Sequence, residues 1–272
     1  MAKVLIVGLG DIGQRLARVL LAAGHEVTGL RRSEGAPAGV TLIRADVSAK
    51  LPELPAFDYV YYILTPSQPG DEGYRLAYVE GLRHVLGAMA GHPPVRLFFV
   101  SSTGVYAQDQ GEWVDETSPA EPESATGRRL LEAEALAAGA AFPATVVRFA
   151  GIYGPDRERL IRWVESGKPV QSEPPAWTNR IHSDDCAGFL AHLLQKDING
   201  SEIERLYIGV DDCPVPQHEV LDGLAAARGL APVPHEIRPG AGQNKRLSNR
   251  RLKESGYVLR LPSWVDGYKN TK

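Results

Sequence analysis

The sequence predicts an α/β fold, a Rossmann-type doubly wound parallel sheet with a small C-terminal lobe that would hold a substrate. Short apolar runs alternate with segments that repeat apolar residues at helical spacing. A glycine-rich loop joins the first run to the first such segment. The second half of the chain is patchier and richer in proline. The first two features are typical of a parallel sheet covered by helices on both faces.

The predicted elements follow one another in a regular β-α order. Residues 3–7 (KVLIV) form an apolar run that ends at glycine, which is typical of a buried parallel strand. We expect a dinucleotide-binding domain at residues 1–155 and a substrate-side region at 156–272, of which residues 176–210 partly return to the main sheet. Strands are predicted at residues 3–7, 26–30, 40–43, 59–64, 95–101, 144–149 and 206–209, and helices at 12–23, 74–90, 128–138, 158–166, 184–195 and 217–228.

Composition excludes several classes of protein. The 272 residues are 43% hydrophobic and 23% charged, with a formal net charge of -3, which gives no reason to expect nucleic acid or an anionic membrane as partner. Cys186 and Cys213 are too far apart for a metal-binding or disulfide spacing. We therefore expect no metal site and no membrane span, and a cytoplasmic location in which both thiols stay reduced.

The loop after the first strand reads Gly8-Leu-Gly10-Asp11-Ile12-Gly13. The first glycine would permit a tight turn, the second would let a pyrophosphate approach the backbone, and the third would let the helix pack on the strand. The amides at the helix start, Asp11 and Ile12 among them, would face the phosphates. A strand–helix turn without a ligand is the alternative. The spacing, in this strand–helix context, predicts a dinucleotide site.

The end of the second strand indicates which dinucleotide binds. An acidic residue at this position usually binds the ribose hydroxyls of NAD. Here the strand runs into Arg31 and Arg32, whose guanidinium groups suit a 2′-phosphate, although Glu34 lies close by. A solvated basic turn is the alternative. We predict NADP as the cofactor and keep NAD as the second choice.

Asp46 and Val47 follow the third strand. The carboxylate of Asp46 would accept a hydrogen bond from the adenine amino group. A helix N-cap is an equally good interpretation of the aspartate from sequence alone.

Several segments together resemble the extended and atypical short-chain dehydrogenase/reductases of the NAD-dependent epimerase/dehydratase family. The resemblance covers nearly the whole chain. It rests on the glycine loop, on Asp46-Val47, and on residues 101–106 (SSTGVY), 113–116 (WVDE), 118–119 (SP), 148–155 (RFAGIYGP) and 180–185 (RIHSDD).

The resemblance implies roles for particular residues. Ser102 would bind and polarise a substrate carbonyl. Leu64, Thr65 and Pro66, after the fourth strand, would lie along the cofactor. The segment 151–155 would pass the nicotinamide.

The chain departs from the family pattern at its expected catalytic helix. Relatives carry a Tyr-x-x-x-Lys motif there, in which the tyrosine moves a proton and the lysine lowers the pKa of that tyrosine. In this chain Thr126 stands at the tyrosine position and Leu130 at the lysine position. A threonine hydroxyl is too weak an acid to replace the tyrosine, so the usual proton relay is predicted to be absent.

Other side chains are candidates for the missing role. Tyr153 is a candidate because its segment runs near the nicotinamide in relatives, although packing under the cofactor loop is the more expected role. His182 would titrate near neutral pH, but capping of the next helix by Ser183 or Asp184 is the safer interpretation. The remaining candidates are Tyr106, Asp115, Glu116, Arg128 and Arg129.

The substrate is predicted to be small and polar, because the resemblance implies a longer insertion than residues 156–181 in enzymes that hold a nucleotide sugar. Arg157, Arg159, Asn179 and Arg180 suggest an anionic ligand. A homodimer through helices 74–90 and 122–138 is one alternative and a monomer the other; Tyr78 and His84 look exposed on the first helix. The functional hypothesis is an NADP-dependent oxidoreductase or epimerase/dehydratase, and the alternative is a non-catalytic NADP-binding sensor.

Overall fold

The computed structural model describes residues 1–240 and 244–269, and its main sheet has seven strands. Their order is β3-β2-β1-β4-β5-β7-β12, and the pairs from β3 to β5 run parallel. The predicted doubly wound sheet is therefore confirmed. These strands are β1 (Lys3–Val7), β2 (Glu26–Arg31), β3 (Thr41–Arg44), β4 (Tyr59–Tyr62), β5 (Arg96–Ser102), β7 (Ala144–Phe149) and β12 (Leu206–Gly209).

The chain order reverses between β1 and β4, which lie side by side. In open α/β sheets, ligands bind beyond the carboxyl ends of the strands at such a switch point. The glycine loop follows β1 directly, and Ile63 follows β4. Val4 to Val7 of β1 are fully buried, as expected for a central strand covered on both faces.

The helices lie close to their predicted positions, with one internal irregularity. The helix predicted at 74–90 begins at Gly70 and contains a π-helical segment. The helices are α1 (Asp11–Ala22), α2 (Gly70–Tyr74), the π segment (Arg75–Glu80), α3 (Gly81–Ala88), a 3₁₀ turn (Thr103–Val105), α4 (Ala125–Ala138), α5 (Arg159–Ser166), α6 (Ser183–Ile198), α7 (Gln217–Ala227), α8 (Arg250–Glu254) and α9 (Trp264–Lys269).

The chain forms two compact units. The first contains residues 1–106, 120–148 and 186–207, and the second contains residues 107–119, 149–185 and 208–272. The division predicted at residue 155 stays a prediction.

Small two-stranded sheets build much of the second unit. They pair β8 with β11, β6 with β15 and β9 with β14 in parallel, and β10 with β13 antiparallel. Helices α5 and α7 pack on each other around an apolar cluster that includes Leu160, Val220 and Leu224. The strands are β6 (Glu112–Val114), β8 (Gly151–Tyr153), β9 (Val170–Glu173), β10 (Trp177–Thr178), β11 (Arg180–His182), β13 (Val215–Pro216), β14 (His235–Ile237) and β15 (Lys245–Leu247).

Candidate functional site: a dinucleotide cavity and the residues near the serine strand

The turn after β1 is so tight that two of its positions accept only glycine. Gly8 has a φ of +105°, and a Cβ there would lie 1.9 Å from the carbonyl oxygen of Ile63. A Cβ on Gly13 would lie 2.2 Å from the carbonyl oxygen of Gly8. A Cβ on Gly10, in contrast, would meet no atom within 4 Å. The space beside Gly10 is the space that an approaching phosphate requires.

Helix α1 begins directly after its N-cap residue, Gly10, which has no side chain to bond the first amides of the helix. The amides of the first turn and the positive end of the helix dipole therefore favour an anion at this point. Asp11 pairs with Arg15 at 2.6 Å, and Ile12 is buried against the protein. Their side chains serve the fold, so any phosphate contact by these two residues would come from the backbone.

A cavity of about 800 Å³ lies beside the glycine loop in the first unit. The sequence did not predict several residues of its wall, although two of them, Ser33 and Ser48, directly follow predicted positions. The residues not predicted include Ser33, Ser48, Ser67, Gln68, Gly73, Leu76 and Ala77. Pro66, Asp11, Ile12 and Gly13 do not line it. The predicted cofactor residues that line it are Gly8, Gly10, Arg31, Arg32, Asp46, Val47, Leu64 and Thr65.

One end of the cavity carries two arginines. The Nη1 atom of Arg31 donates to the carbonyl oxygen of Gly35 at 3.2 Å, which closes the turn after β2. Arg32 is exposed, and its Nη1 lies 3.7 Å from Oδ2 of Asp46. The carboxylate of Glu34 pairs instead with Arg44 at 2.8 Å, and Glu34 does not line the cavity. The described cavity wall therefore contains two cations and a single carboxylate.

Asp46 forms a local turn. Its Oδ1 accepts hydrogen bonds from the backbone amide of Ser48 at 2.9 Å and from the Ser48 hydroxyl at 2.7 Å. No helix follows Asp46, so the helix N-cap interpretation is wrong. Partial burial tends to raise the pKa of Asp46, but the bonds from Ser48 and the charge of Arg32 outweigh it and lower the pKa. The group is therefore ionised at neutral pH.

Ser102 ends β5 and begins the 3₁₀ turn. Its Oγ accepts a hydrogen bond from the amide of Gly104 at 3.1 Å, and the side chain is half-buried. A hydroxyl that accepts one bond can still donate its proton to another group.

The strand end beside Ser102 is held by a buried polar network. The Ser101 hydroxyl donates to Oε1 of Glu134 at 2.6 Å. Glu134 also pairs with Arg148, whose Nη2 lies 2.6 Å from Oε2. Since all three side chains are buried, the network fixes β5, α4 and β7 against one another.

Helix α4 carries Thr126 and Leu130, the two residues that the family resemblance aligns with the tyrosine and the lysine. Thr126 lies in the first turn of α4, with its hydroxyl 3.4 Å from Oγ of Ser124. Leu130 is buried in the apolar interior. The Tyr-x-x-x-Lys spacing does occur at Tyr268 and Lys272, at the end of the chain. Tyr268 is buried in α9, and Lys272 lies outside the described residues.

The two tyrosine candidates have engaged hydroxyls. The Tyr106 hydroxyl, fully buried, accepts a bond from Nη1 of Arg148 at 2.8 Å. The Tyr153 hydroxyl donates to the carbonyl oxygen of Ser263 at 3.0 Å, and its ring stacks on Tyr268 with centroids 4.9 Å apart. Burial raises the pKa of Tyr153 well above its ordinary value. The geometry favours the packing interpretation of Tyr153 over an acid.

The polar candidates all take part in hydrogen bonds or ion pairs. Asp115 accepts from the amide of Thr117 and Glu116 from the amide of Ile208; burial raises the pKa of Glu116. The Nδ1 of His182 accepts from the amide of Asp184 at the start of α6. The hydroxyl of Ser183, one of the two predicted caps, is buried with no hydrogen-bond partner in the described part of the chain. Arg128 donates to the carbonyl oxygen of Glu123, and Arg129 pairs with Asp71.

Two residues of the predicted anionic-ligand group have structural roles. The side chain of Asn179 bonds the carbonyl oxygen of Lys245 at 2.8 Å and the amide of Leu247 at 2.8 Å. Arg180 is buried, and its Nη2 donates to the hydroxyl of Thr178 at 2.8 Å.

The two helix residues expected to be exposed are half-buried instead. The Tyr78 hydroxyl donates to the carbonyl oxygen of Leu64 at 2.9 Å, and Nδ1 of His84 lies 2.7 Å from the carbonyl oxygen of Val47. Both side chains point toward the loops beside the cavity, so they give no support for a dimer through this helix.

Two features are missing from residues 1–240 and 244–269. No helix in these ranges is both long and apolar enough to cross a membrane. Nor do these ranges contain a group of three or more His, Cys, Asp or Glu side chains that could hold a metal ion.

The profile of the NAD dependent epimerase/dehydratase family matches residues 4–209, and the chain belongs to that family. Protein YeeZ of Escherichia coli K12 is 28% identical, over 96% of this chain and 97% of its own. The 3-diazoavenalumate denitrifying reductase of a Streptomyces species is 26% identical, over 97% of this chain and 98% of its own.

Solved structures show the same fold. A Methylobacillus flagellatus structure, assigned to the NAD-dependent epimerases/dehydratases, is 44% identical with a TM-score of 0.83, over 98% of this chain and 96% of its own. The UDP-glucuronic acid 4-epimerase of Bacillus cereus, solved with NAD, is 20% identical with a TM-score of 0.80, over 99% and 97% of the two chains.

Proposed function

We propose that the chain is an NADP-dependent oxidoreductase, or a related epimerase/dehydratase-type enzyme, that acts on a small polar substrate in the cytosol. The observation that carries the proposal is the end of the cavity that contains Arg31 and Arg32. Glu34, the nearby acidic residue that could have bound the ribose hydroxyls of NAD, is paired with Arg44 outside the cavity wall.

The residues present fit a dinucleotide. The open space beside Gly10 and the start of α1 suit the pyrophosphate, and the guanidinium groups of Arg31 and Arg32 suit a 2′-phosphate. Relatives of the same fold, such as the Bacillus cereus epimerase, bind NAD, which supports the dinucleotide but not the extra phosphate.

The nicotinamide of a bound NADP would supply hydride chemistry. Ser102 would hold a substrate oxygen, because its Oγ accepts from the Gly104 amide and leaves the hydroxyl proton to donate. The Tyr153 hydroxyl is engaged with Ser263 and would need to break that bond to serve as an acid. We therefore propose Ser102 as the residue that binds the substrate and leave the usual tyrosine role unfilled.

The substrate is proposed to be smaller than a nucleotide sugar, because the segment 156–181 is short compared with the insertion that the family resemblance implies for enzymes of nucleotide sugars. The relative named as a reductase supports redox chemistry on a small molecule. A monomer and a homodimer are both compatible with the proposal.

A cofactor titration tests the proposal. We expect the protein to bind NADP more tightly than NAD, and Arg31→Ala to weaken NADP binding by about 10- to 100-fold, because one charge-assisted hydrogen bond contributes about 1.5–3 kcal/mol. The affinity for NAD should change little. Fluorescence or calorimetric titration gives both dissociation constants. Equal affinity of the wild-type protein for the two cofactors would overturn the proposed preference.

A non-catalytic NADP sensor is the second candidate, favoured by the buried Leu130 and by Thr126 at the family's catalytic positions. A screen of aldehydes, ketones, sugar acids and imines with NADPH separates the two. For the enzyme we expect turnover that Ser102→Ala lowers by at least tenfold, while NADP binding persists. Tight NADP binding without turnover of any compound would favour the sensor.

A further inference from the structure

The single carboxylate in the described cavity wall lies beside one of its two cations. Oδ2 of Asp46 is 3.7 Å from Nη1 of Arg32, and both residues line the cavity. Oδ1 of Asp46 is already committed to the amide and hydroxyl of Ser48. These two bonds fix the carboxylate, whereas the side chain of Arg32 is 60% exposed.

We infer that Asp46 sets the cofactor preference by acting as the counter-ion of Arg32 and so weakening the hold of the cavity on a 2′-phosphate. The inference rests on the proposed NADP preference and goes beyond it. The family resemblance suggests only that Asp46 contacts the adenine.

Charge balance explains the effect. A 2′-phosphate competes with the fixed carboxylate for the charge of Arg32, and the carboxylate remains as a negative charge in the same cavity. The plain ribose of NAD carries no charge at that position and leaves the Asp46–Arg32 pair intact. Asp46 therefore lowers the affinity for NADP relative to that for NAD.

Arg31 does not depend on this competition. Its Nη1 is held by the carbonyl oxygen of Gly35, an uncharged acceptor that belongs to the same turn. The two arginines thus differ in what a phosphate must displace, and only Arg32 has an anionic partner within 4 Å in the described part of the chain.

Asp46→Asn tests the inference by titration with NADP and NAD. The amide oxygen of asparagine can keep both bonds to Ser48. Any bond from the adenine amino group to the second carboxylate oxygen is lost for both cofactors alike, so the ratio of the two dissociation constants is the readout. We expect the affinity for NADP relative to NAD to rise about two- to fivefold, the range for a largely exposed ion pair. The gain should shrink as the salt concentration rises.

Two further variants identify the cause. In an Arg32→Gln background, Asp46→Asn should give no gain, because the partner through which Asp46 acts is gone. Glu34→Gln removes the same charge from a neighbouring residue outside the cavity wall and should leave the NADP-to-NAD affinity ratio unchanged.

The outcomes separate this inference from the proposed function. A wild-type preference for NADP that Asp46→Asn does not increase would overturn the role of Asp46 alone. A gain that persists in the Arg32→Gln background, or that Glu34→Gln reproduces, would overturn it too. Equal wild-type affinity for NADP and NAD would overturn the proposed cofactor preference itself.

Discussion

The buried carboxyl group of Asp211, in the second unit, makes the stability of the protein depend on pH. It follows β12 and is 1% exposed. Oδ1 accepts a hydrogen bond from the amide of Cys213 at 3.0 Å, while Oδ2 is buried with no hydrogen-bond partner in the described part of the chain. Burial raises the pKa of Asp211 to about 7, although the charge of Arg180 and the bond from Cys213 act in the opposite direction.

A raised carboxyl pKa makes stability fall as pH rises. Between the unfolded pKa of about 4 and the folded pKa of about 7, the folded protein binds more protons at Asp211 than the unfolded chain does. The contribution of this residue is therefore full below about pH 4 and is lost as pH rises to about 7. We expect Asp211→Asn to gain about 1–3 kcal/mol over the wild type between pH 5 and pH 8.

Urea unfolding at several pH values measures this difference in the free energy of unfolding. Glu202→Gln, which removes an exposed carboxylate ahead of β12, is the control, and its difference from the wild type should not grow over that range. A constant difference between Asp211→Asn and the wild type from pH 5 to pH 8 would contradict the buried-carboxyl explanation.

The helical stretch from Gly70 to Ala88 owes its π segment to a side chain of the sheet. The Tyr62 hydroxyl donates to the carbonyl oxygen of Ala77 at 2.5 Å. In a regular helix that carbonyl would accept from the amide of Gly81, four residues on. A Cβ on Gly81 would lie 2.5 Å from the Tyr62 hydroxyl. An inserted side chain is a known cause of such irregularities, and here glycine makes room for it.

A double-mutant cycle tests the link between Tyr62 and Gly81. We expect Gly81→Ala to destabilise the protein by about 1–3 kcal/mol through overpacking, and Tyr62→Phe to cost about 1 kcal/mol for the lost hydrogen bond. The double variant should lose less than the sum by about 0.5–1 kcal/mol, because the phenylalanine removes one of the two side-chain atoms that the new methyl group meets; the other, Cγ2 of Val47 at 2.7 Å, remains.

Gly87 offers a matched control in the same helix, because a Cβ there would meet no atom within 4 Å. Gly87→Ala should stabilise the protein by about 0.5–1 kcal/mol through helix propensity. Additive effects of the Tyr62 and Gly81 substitutions, measured by urea unfolding, would exclude the proposed steric link.

At the scale of the whole molecule, each of the two units is built from segments that are far apart in the sequence. The first unit takes in residues 186–207 from late in the sequence, and the second takes in residues 107–119 from its middle. Periodicity shows where helices and strands lie, but it carries no information on which distant segments pack together. The short strands of the second unit, many of only two or three residues, are too brief to show any period.

The sequence by itself determined the sheet, its long helices and the phosphate loop, because these depend on local signals: apolar periodicity and glycine spacing. It also located eight of the nineteen residues that line the cavity, since those residues lie at or just after the ends of predicted strands. Only the tertiary structure decided that Glu34 pairs outside the cavity, that Asp46 opposes Arg32, and that Tyr153 is packed. Those outcomes depend on contacts between side chains from different elements, which no local pattern encodes.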